Sequence, residues 1–304
     1  MAENKEKSKN GTARSAVLFL ISTVIFGSIG IFRRSIPLPS ASLAFLRGLT
    51  GSAFILLFSL VTGKKIFRGI SRKNLILLIA SGACIGINWI FLFEAFNYTA
   101  VTTATLCCYM QPTIVLLLSP LIFREKLGPK KLVCVVLSLV GMVFVSGMLD
   151  KGLPQGSDAV GILCGLGCAA FFSAVVILTK LIDGVNPFAK TVIQLFSAAV
   201  AVLPYAWLTG FAPTAEMGGK EILFTVIVCV VHTGLAYLLY FGGMAGLKTQ
   251  TVAFLSYADP VSSIVLSAVI LGERMTFLGA LGAVLILGST LAAESKGPYF
   301  LKRK

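Results

Sequence analysis

Charged residues are scarce in this 304-residue chain, at 12%, while 57% of it is hydrophobic. A soluble domain carries roughly 25% charged residues, so this chain cannot give a globule of its size a charged shell. A water-soluble fold is excluded. Histidine occurs once, as His232. The seven cysteines (Cys84, Cys107, Cys108, Cys134, Cys164, Cys168 and Cys229) all fall in apolar stretches. They lack the paired spacing of a zinc site and the polar loops in which secretory disulfides form, so neither metal nor disulfide is expected. No Gly-rich loop ending in Lys-Ser or Lys-Thr is present, so nothing points to ATP drive, and no cofactor is implied. Acids are few as well, leaving a net charge of +14. The cations, however, come in short clusters between apolar blocks, such as Lys64, Lys65, Arg68, Arg72 and Lys73. That pattern suits topology signals and lipid headgroups, not a continuous groove for nucleic acid. The lipid bilayer is the expected partner, and no residue pattern sets an oligomeric state.

What the chain has is long apolar runs. A helix needs about 20 residues to cross a hydrocarbon core of about 30 Å. Blocks of that length lie near 14–32, 40–62, 74–96, 101–123 and 131–149, then near 159–181, 188–209, 221–243, 249–271 and 277–293. They do not alternate as barrel strands do. The expectation is an all-α polytopic membrane protein with ten transmembrane helices. The first run is read as a retained helix because Arg33 and Arg34 follow it instead of a cleavage site. With the N-terminus in the cytoplasm, 20 loop and tail cations fall inside and 5 outside, with Arg47 left within a span. That asymmetry places both termini on the cytoplasmic side.

Shifting the chain by 148 residues against itself brings Pro39 onto Pro187, Gly86 onto Gly234 and Phe93 onto Phe241. The same shift puts Tyr109, Pro112, Ser119 and Glu125 onto Tyr257, Pro260, Ser267 and Glu273. Five spans separate the copies. Five is odd, so the second copy enters the membrane in the opposite sense, giving two inverted five-helix repeats. The organisation expected is a basic tail at 1–13, a repeat at 14–149, an external linker at 150–158, a repeat at 159–293 and a basic tail at 294–304. Such halves can exchange conformations around a central site, which is the logic of alternating access.

The stretch from Gly246, GLKTQTVAFLSYADPVSSIVLSAVILGERMTFLGALGAVLILGSTL, resembles the closing part of an EamA domain of the drug/metabolite transporter superfamily. Its markers are Pro260, Gly272–Glu273 and the glycines Gly279, Gly282 and Gly288; Thr99 through Pro112 to Glu125 repeats them more loosely, with Arg124 in place of the glycine. Arg47, in LAFLRGL, matches an arginine common in the N-terminal domain. The resemblance covers nearly the whole chain. It implies ten helices around a central cavity and transport of metabolites, often as export, without fixing the substrate.

An ionisable group in lipid needs a partner or a purpose. Arg47 and Glu94 are expected as an ion pair between the second and third spans, or Arg47 as the fork for a substrate carboxylate. Asp259 precedes Pro260 and its repeat-mate Gln111 precedes Pro112, and proline frees a carbonyl one turn back. Asp259 could therefore hold an ammonium group or a proton, or lie in a hydrogen-bonded kink. His232 suits proton coupling or a neutral inter-helix bond. Glu94, His232 and Asp259 are the coupling candidates. Asn88, Trp89, Tyr109, Gln194, Tyr237, Tyr240 and Tyr257 are candidates to line the cavity. Glu125 and Glu273 are expected as caps or inter-helix bonds at opposite faces. Gly82/Gly86, Gly161/Gly165 and Gly242/Gly246 have the small-xxx-small spacing of close helix contacts.

The function these features favour is secondary transport, export ahead of import, of a small organic metabolite such as an amino acid, by alternating access around a central cavity in a bacterial inner membrane. Nucleotide-sugar or sugar-phosphate exchange would need several cations within spans, and Arg47 alone is clearly inside one. A lipid-modifying enzyme would need a metal cluster, a nucleophile–base set or an acidic pair near a membrane face. A channel would need a continuous polar stripe. None is evident.

Overall fold

A computed structural model describes residues 2–63, 66–123, 128–147, 149, 154–212, 216–244, 247 and 255–294. Among these residues all regular structure is helical: α1 (Ala2–Arg33), α2 (Ser40–Val61), α3 (Arg72–Tyr98), α4 (Val101–Cys108), α5 (Gln111–Phe123) and α6 (Pro129–Val145), then α7 (Gly156–Lys180) and α8 (Pro187–Thr209). Next come α9 (Gly219–Val226), a π-helical segment π1 (Ile227–Leu235), α10 (Ala236–Met244), α11 (Ala258–Ile270) and α12 (Phe277–Glu294). Among the described residues seven helical stretches are long and apolar enough to cross a membrane, one of them running through both α4 and α5, and the apolar helices α11 and α12 are shorter. Large apolar side chains such as Leu208 and Phe277, both 83% exposed, project outward, where lipid is the solvent that suits them. The chain is a multi-pass membrane protein.

Local chemistry sets the helix ends. The Ser71 hydroxyl accepts from Asn74 N at 3.2 Å and caps α3. Proline opens α6 and α8, where its missing N–H has no intrahelical partner to lose. Two of the long apolar blocks depart from simple helices. The block at 101–123 breaks between α4 and α5, with Tyr109 and Met110 in a turn. Pro112 has no N–H for the Cys108 carbonyl, and the chain tightens instead through Met110 N to Cys107 O at 3.1 Å. The same tyrosine position is a turn in the second copy, where Tyr257 separates helical Ser256 from α11. The block at 221–243 stays continuous but widens to π geometry through its middle.

The helices pack in reciprocal pairs: α1 lies against α10 and α11, and α7 lies against α3 and α4. The α2–α8 and α6–α12 pairs join helices at matching places in the two halves of the chain. Glycines allow these contacts to close. A Cβ at Gly82 would come within 2.5 Å of Gln194 O, and one at Gly86 within 2.7 Å of Ala198 O, both on α8. Gly161 and Gly165 likewise seat α7 against Thr99 and Cys107. Gly242 departs from the small-xxx-small expectation: nothing lies within 4 Å of where its Cβ would be, while Gly246 lies outside the described residues.

Candidate functional site

Three helices converge on Arg47, which is 3% exposed on α2. Its Nε donates to Thr233 Oγ1 on π1 at 2.9 Å. Its guanidinium lies over the Trp89 ring of α3 at 4.2 Å and faces Phe93 at 5.3 Å. Arg47 Nη1 is buried and has no hydrogen-bond partner among the described residues. A buried donor in that condition carries a desolvation cost that an incoming acceptor would relieve.

Thr233 reaches Arg47 because π1 comes close to α2. A Cβ on Gly51 would lie 2.5 Å from Thr233 Cγ2, so glycine is needed there. The Thr233 hydroxyl donates to Val228 O, five residues back, at 3.1 Å. This leaves its lone pairs for Arg47. The neighbouring His232 is held on both ring nitrogens, with Nε2 at 2.9 Å from Ser28 Oγ on α1 and Nδ1 at 3.3 Å from Ile227 O.

The second polar group is built where the two proline-linked breaks meet. Tyr109, in the turn after α4, donates its hydroxyl to Asp259 Oδ2 at 2.8 Å. Tyr237 of α10 lies near enough to both Arg47 and Asp259 to feel their charge. Phe26 packs edge-on to Tyr237 at 5.2 Å and Tyr240 at 6.1 Å, continuing the aromatic wall. Tyr109, Gln111, Tyr237, Tyr240, Tyr257 and Asp259 are all half-buried. A guanidinium donor, a carboxylate and aromatic faces thus share one region.

Not every sequence candidate joins this group. The expected Arg47–Glu94 ion pair does not form, because Thr233 and the rings take up Arg47. Glu94 instead sits near the end of α3, 3.4 Å from Asn97 Nδ2 and close to Arg33. Asn88 donates to Cys168 O at 2.7 Å and ties α3 to α7. Gln194 donates to Ser81 Oγ at 2.8 Å and to Thr179 Oγ1 at 3.1 Å, likewise joining helices. Gln111 accepts from Ser173 Oγ at 3.1 Å through its backbone carbonyl, and Pro112 and Pro260 stand in the first turns of α5 and α11. Glu273 receives Val101 N at 2.8 Å and Thr102 N at 3.0 Å at the start of α4, with Arg34 at 3.4 Å. Glu125 lies outside the described residues. Sequence reasoning missed Thr233, Ser28 and Phe93. A single hydroxyl or ring in an apolar span carries no signal until its neighbour across the bundle is known.

This is the arrangement of a solute transporter: a helical bundle built from two similar halves, with polar groups gathered where broken helices meet. The profile of the EamA-like transporter family matches residues 13–147 and 159–293, and the chain belongs to that family. It is 29% identical over 286 residues to the uncharacterized transporter YxxF of Bacillus subtilis (strain 168), covering 94% of this chain and 91% of that one. It is 26% identical over 204 residues to the aromatic amino acid exporter YddG of Ancylobacter novellus, covering 67% of this chain and 70% of that one. A crystal structure 22% identical in sequence superposes with a TM-score of 0.64, covering 92% of this chain and 96% of the other, and shows the same fold.

Proposed function

We propose that the chain is a secondary exporter of amino acids with apolar or aromatic side chains. In this reading it has ten spans in two inverted five-helix repeats, at 14–149 and 159–293, and both termini lie on the cytoplasmic side of a bacterial inner membrane. Arg47 takes the solute carboxylate, Asp259 its ammonium group, and Trp89, Tyr237 and Tyr240 its side chain.

The observation that carries this reading is the buried Arg47 Nη1, a charged donor without a partner against the face of Trp89. A planar fork with a free donor suits a carboxylate. The exporter YddG supports the solute class, and the exchange of packing partners between the two halves supports the inverted repeat. Asp259, half-buried and with Tyr109 as its hydrogen-bond donor, is the coupling candidate.

The test is flux in proteoliposomes containing the purified chain. Labelled tryptophan and phenylalanine are expected to move faster than in empty vesicles, and Arg47→Gln is expected to abolish the difference. No flux for any amino acid in a panel, with correctly folded protein in the bilayer, would remove this function.

A further inference from the structure

Above Tyr109 and Asp259, α4 and α11 are joined by a ladder of hydroxyl groups. Thr105 Oγ1 and Ser263 Oγ are 3.0 Å apart, and Thr102 Oγ1 and Ser267 Oγ are 2.7 Å apart. The top is closed by Glu273 on the Val101 and Thr102 amides. Residues 102, 105 and 109 recur at helical spacing, as do 259, 263 and 267, so each set lies on one face and the sets run antiparallel. The two hydroxyl rungs are buried: Ser263 is 3%, Ser267 0%, Thr102 9% and Thr105 7% exposed. Glu273 borders an open depression shared with Arg34, Thr99 and Asp158, and the bottom rung is Asp259 itself. One end of the ladder therefore meets solvent and the other meets the candidate site.

The sequence symmetry reproduces the ladder only in part. The repeat-mates of Ser263 and Thr105 are Val115 and Ala253, which have no hydroxyl, while those of Ser267 and Thr102 are Ser119 and Gln250. The ladder lies at the external face of the bundle in the orientation proposed above.

We propose that this ladder is the external gate and that Asp259 is the residue through which a bound solute opens it. The inference rests on the transport reading. An ammonium group binding Asp259 takes the oxygen that Tyr109 now holds and removes the bottom rung. The rungs that remain are neutral hydroxyl pairs, individually weak inside a membrane protein, so α4 separates from α11 and the Glu273 contacts follow. A solute arriving from the cytoplasm would thereby unlock the opposite side.

Hydrogen exchange on the full chain in lipid nanodiscs tests this, read at the Val101 and Thr102 amides. Ser263→Ala combined with Ser267→Ala is expected to raise exchange there about tenfold, as loss of two hydrogen bonds would, while α6 and α12 are unaffected. No change overturns the gate. An equal rise in α6 and α12 also overturns it, because the rungs would then belong to the permanent packing. Tryptophan is expected to raise exchange at the same amides in the wild type, and indole-3-propionate, which lacks the amine, is not. A response to both or to neither overturns the role of Asp259. Tyr109→Phe is expected to raise exchange and to remove the response to tryptophan. Failure of amino-acid flux in proteoliposomes would instead remove the transport reading and leave the Ser263→Ala, Ser267→Ala result standing as evidence for a movable seal.

Discussion

Arg47 and Thr233 stand 186 positions apart in sequence, yet the arginine Nε lies 2.9 Å from the threonine hydroxyl oxygen. The contact requires the five-residue bond from Thr233 to Val228, which orients the hydroxyl. Helix widening and guanidinium placement are thus one feature, in keeping with the association of π turns with functional sites. Thr233→Val keeps the shape and removes the acceptor. It is expected to weaken solute binding about tenfold, as loss of a bond to a charged group would, with little change in thermal stability. Solute-induced melting shifts in detergent would measure both.

Arg47→Lys keeps the charge but loses the planar stack on Trp89 and the fork. Binding of a carboxylate solute is expected to fall by about tenfold to a hundredfold, the equivalent of about 1.5–3 kcal/mol. Equal flux in Arg47→Lys and wild-type vesicles would show that the fork is not used.

Asp259→Asn separates charge from hydrogen bonding, because the amide oxygen can still accept from Tyr109. Thermal stability is expected to stay within about 1 kcal/mol of wild type, while flux of amine-bearing solutes falls to background. Unaltered flux and an unaltered pH profile would take Asp259 out of the mechanism.

His232 is held on both nitrogens, so its substitution should act on structure. His232→Gln is expected to lower stability by about 1–3 kcal/mol through the loss of buried bonds, and to leave the shape of the pH–flux curve unchanged. A displaced curve in a stable His232→Gln protein would restore this residue as a proton carrier.

Gly141 and Gly282 face each other between α6 and α12. A Cβ on Gly141 would lie 2.8 Å from Gly282 O, and one on Gly282 would lie 2.6 Å from Gly141 O. Gly282→Val is expected to cost about 1–3 kcal/mol by overpacking, seen as a lower midpoint in thermal melts.

Much of this could be read from sequence. Length and hydropathy located the helices, since lipid leaves few alternatives for a long apolar run. The repeat drew attention to Tyr109, Pro112, Asp259 and Pro260 before their surroundings were visible. Arg47 was conspicuous as a cation within a span, but its partners were not, because Thr233 resembles any other threonine in an apolar helix. The π geometry was also hidden. The side chains of Thr233 and His232 bond to carbonyls five residues back there, and a wheel drawn at α pitch misplaces side chains through that stretch. The ladder left a faint trace in the spacing of Ser263 and Ser267, which marks a polar face without naming what lies opposite.

The contacts of α8 with α2 and α3 reach backbone atoms at Leu195, Gln194 and Ala198, opposite Gly48, Gly82 and Gly86. Geometry fixed by main chain against main chain is indifferent to most side chains around it. A frame of that kind can be inherited unchanged while the rings at Trp89, Tyr237 and Tyr240 are exchanged one at a time. In the transport reading proposed above, a change of cargo can therefore be made at those rings without rebuilding the scaffold.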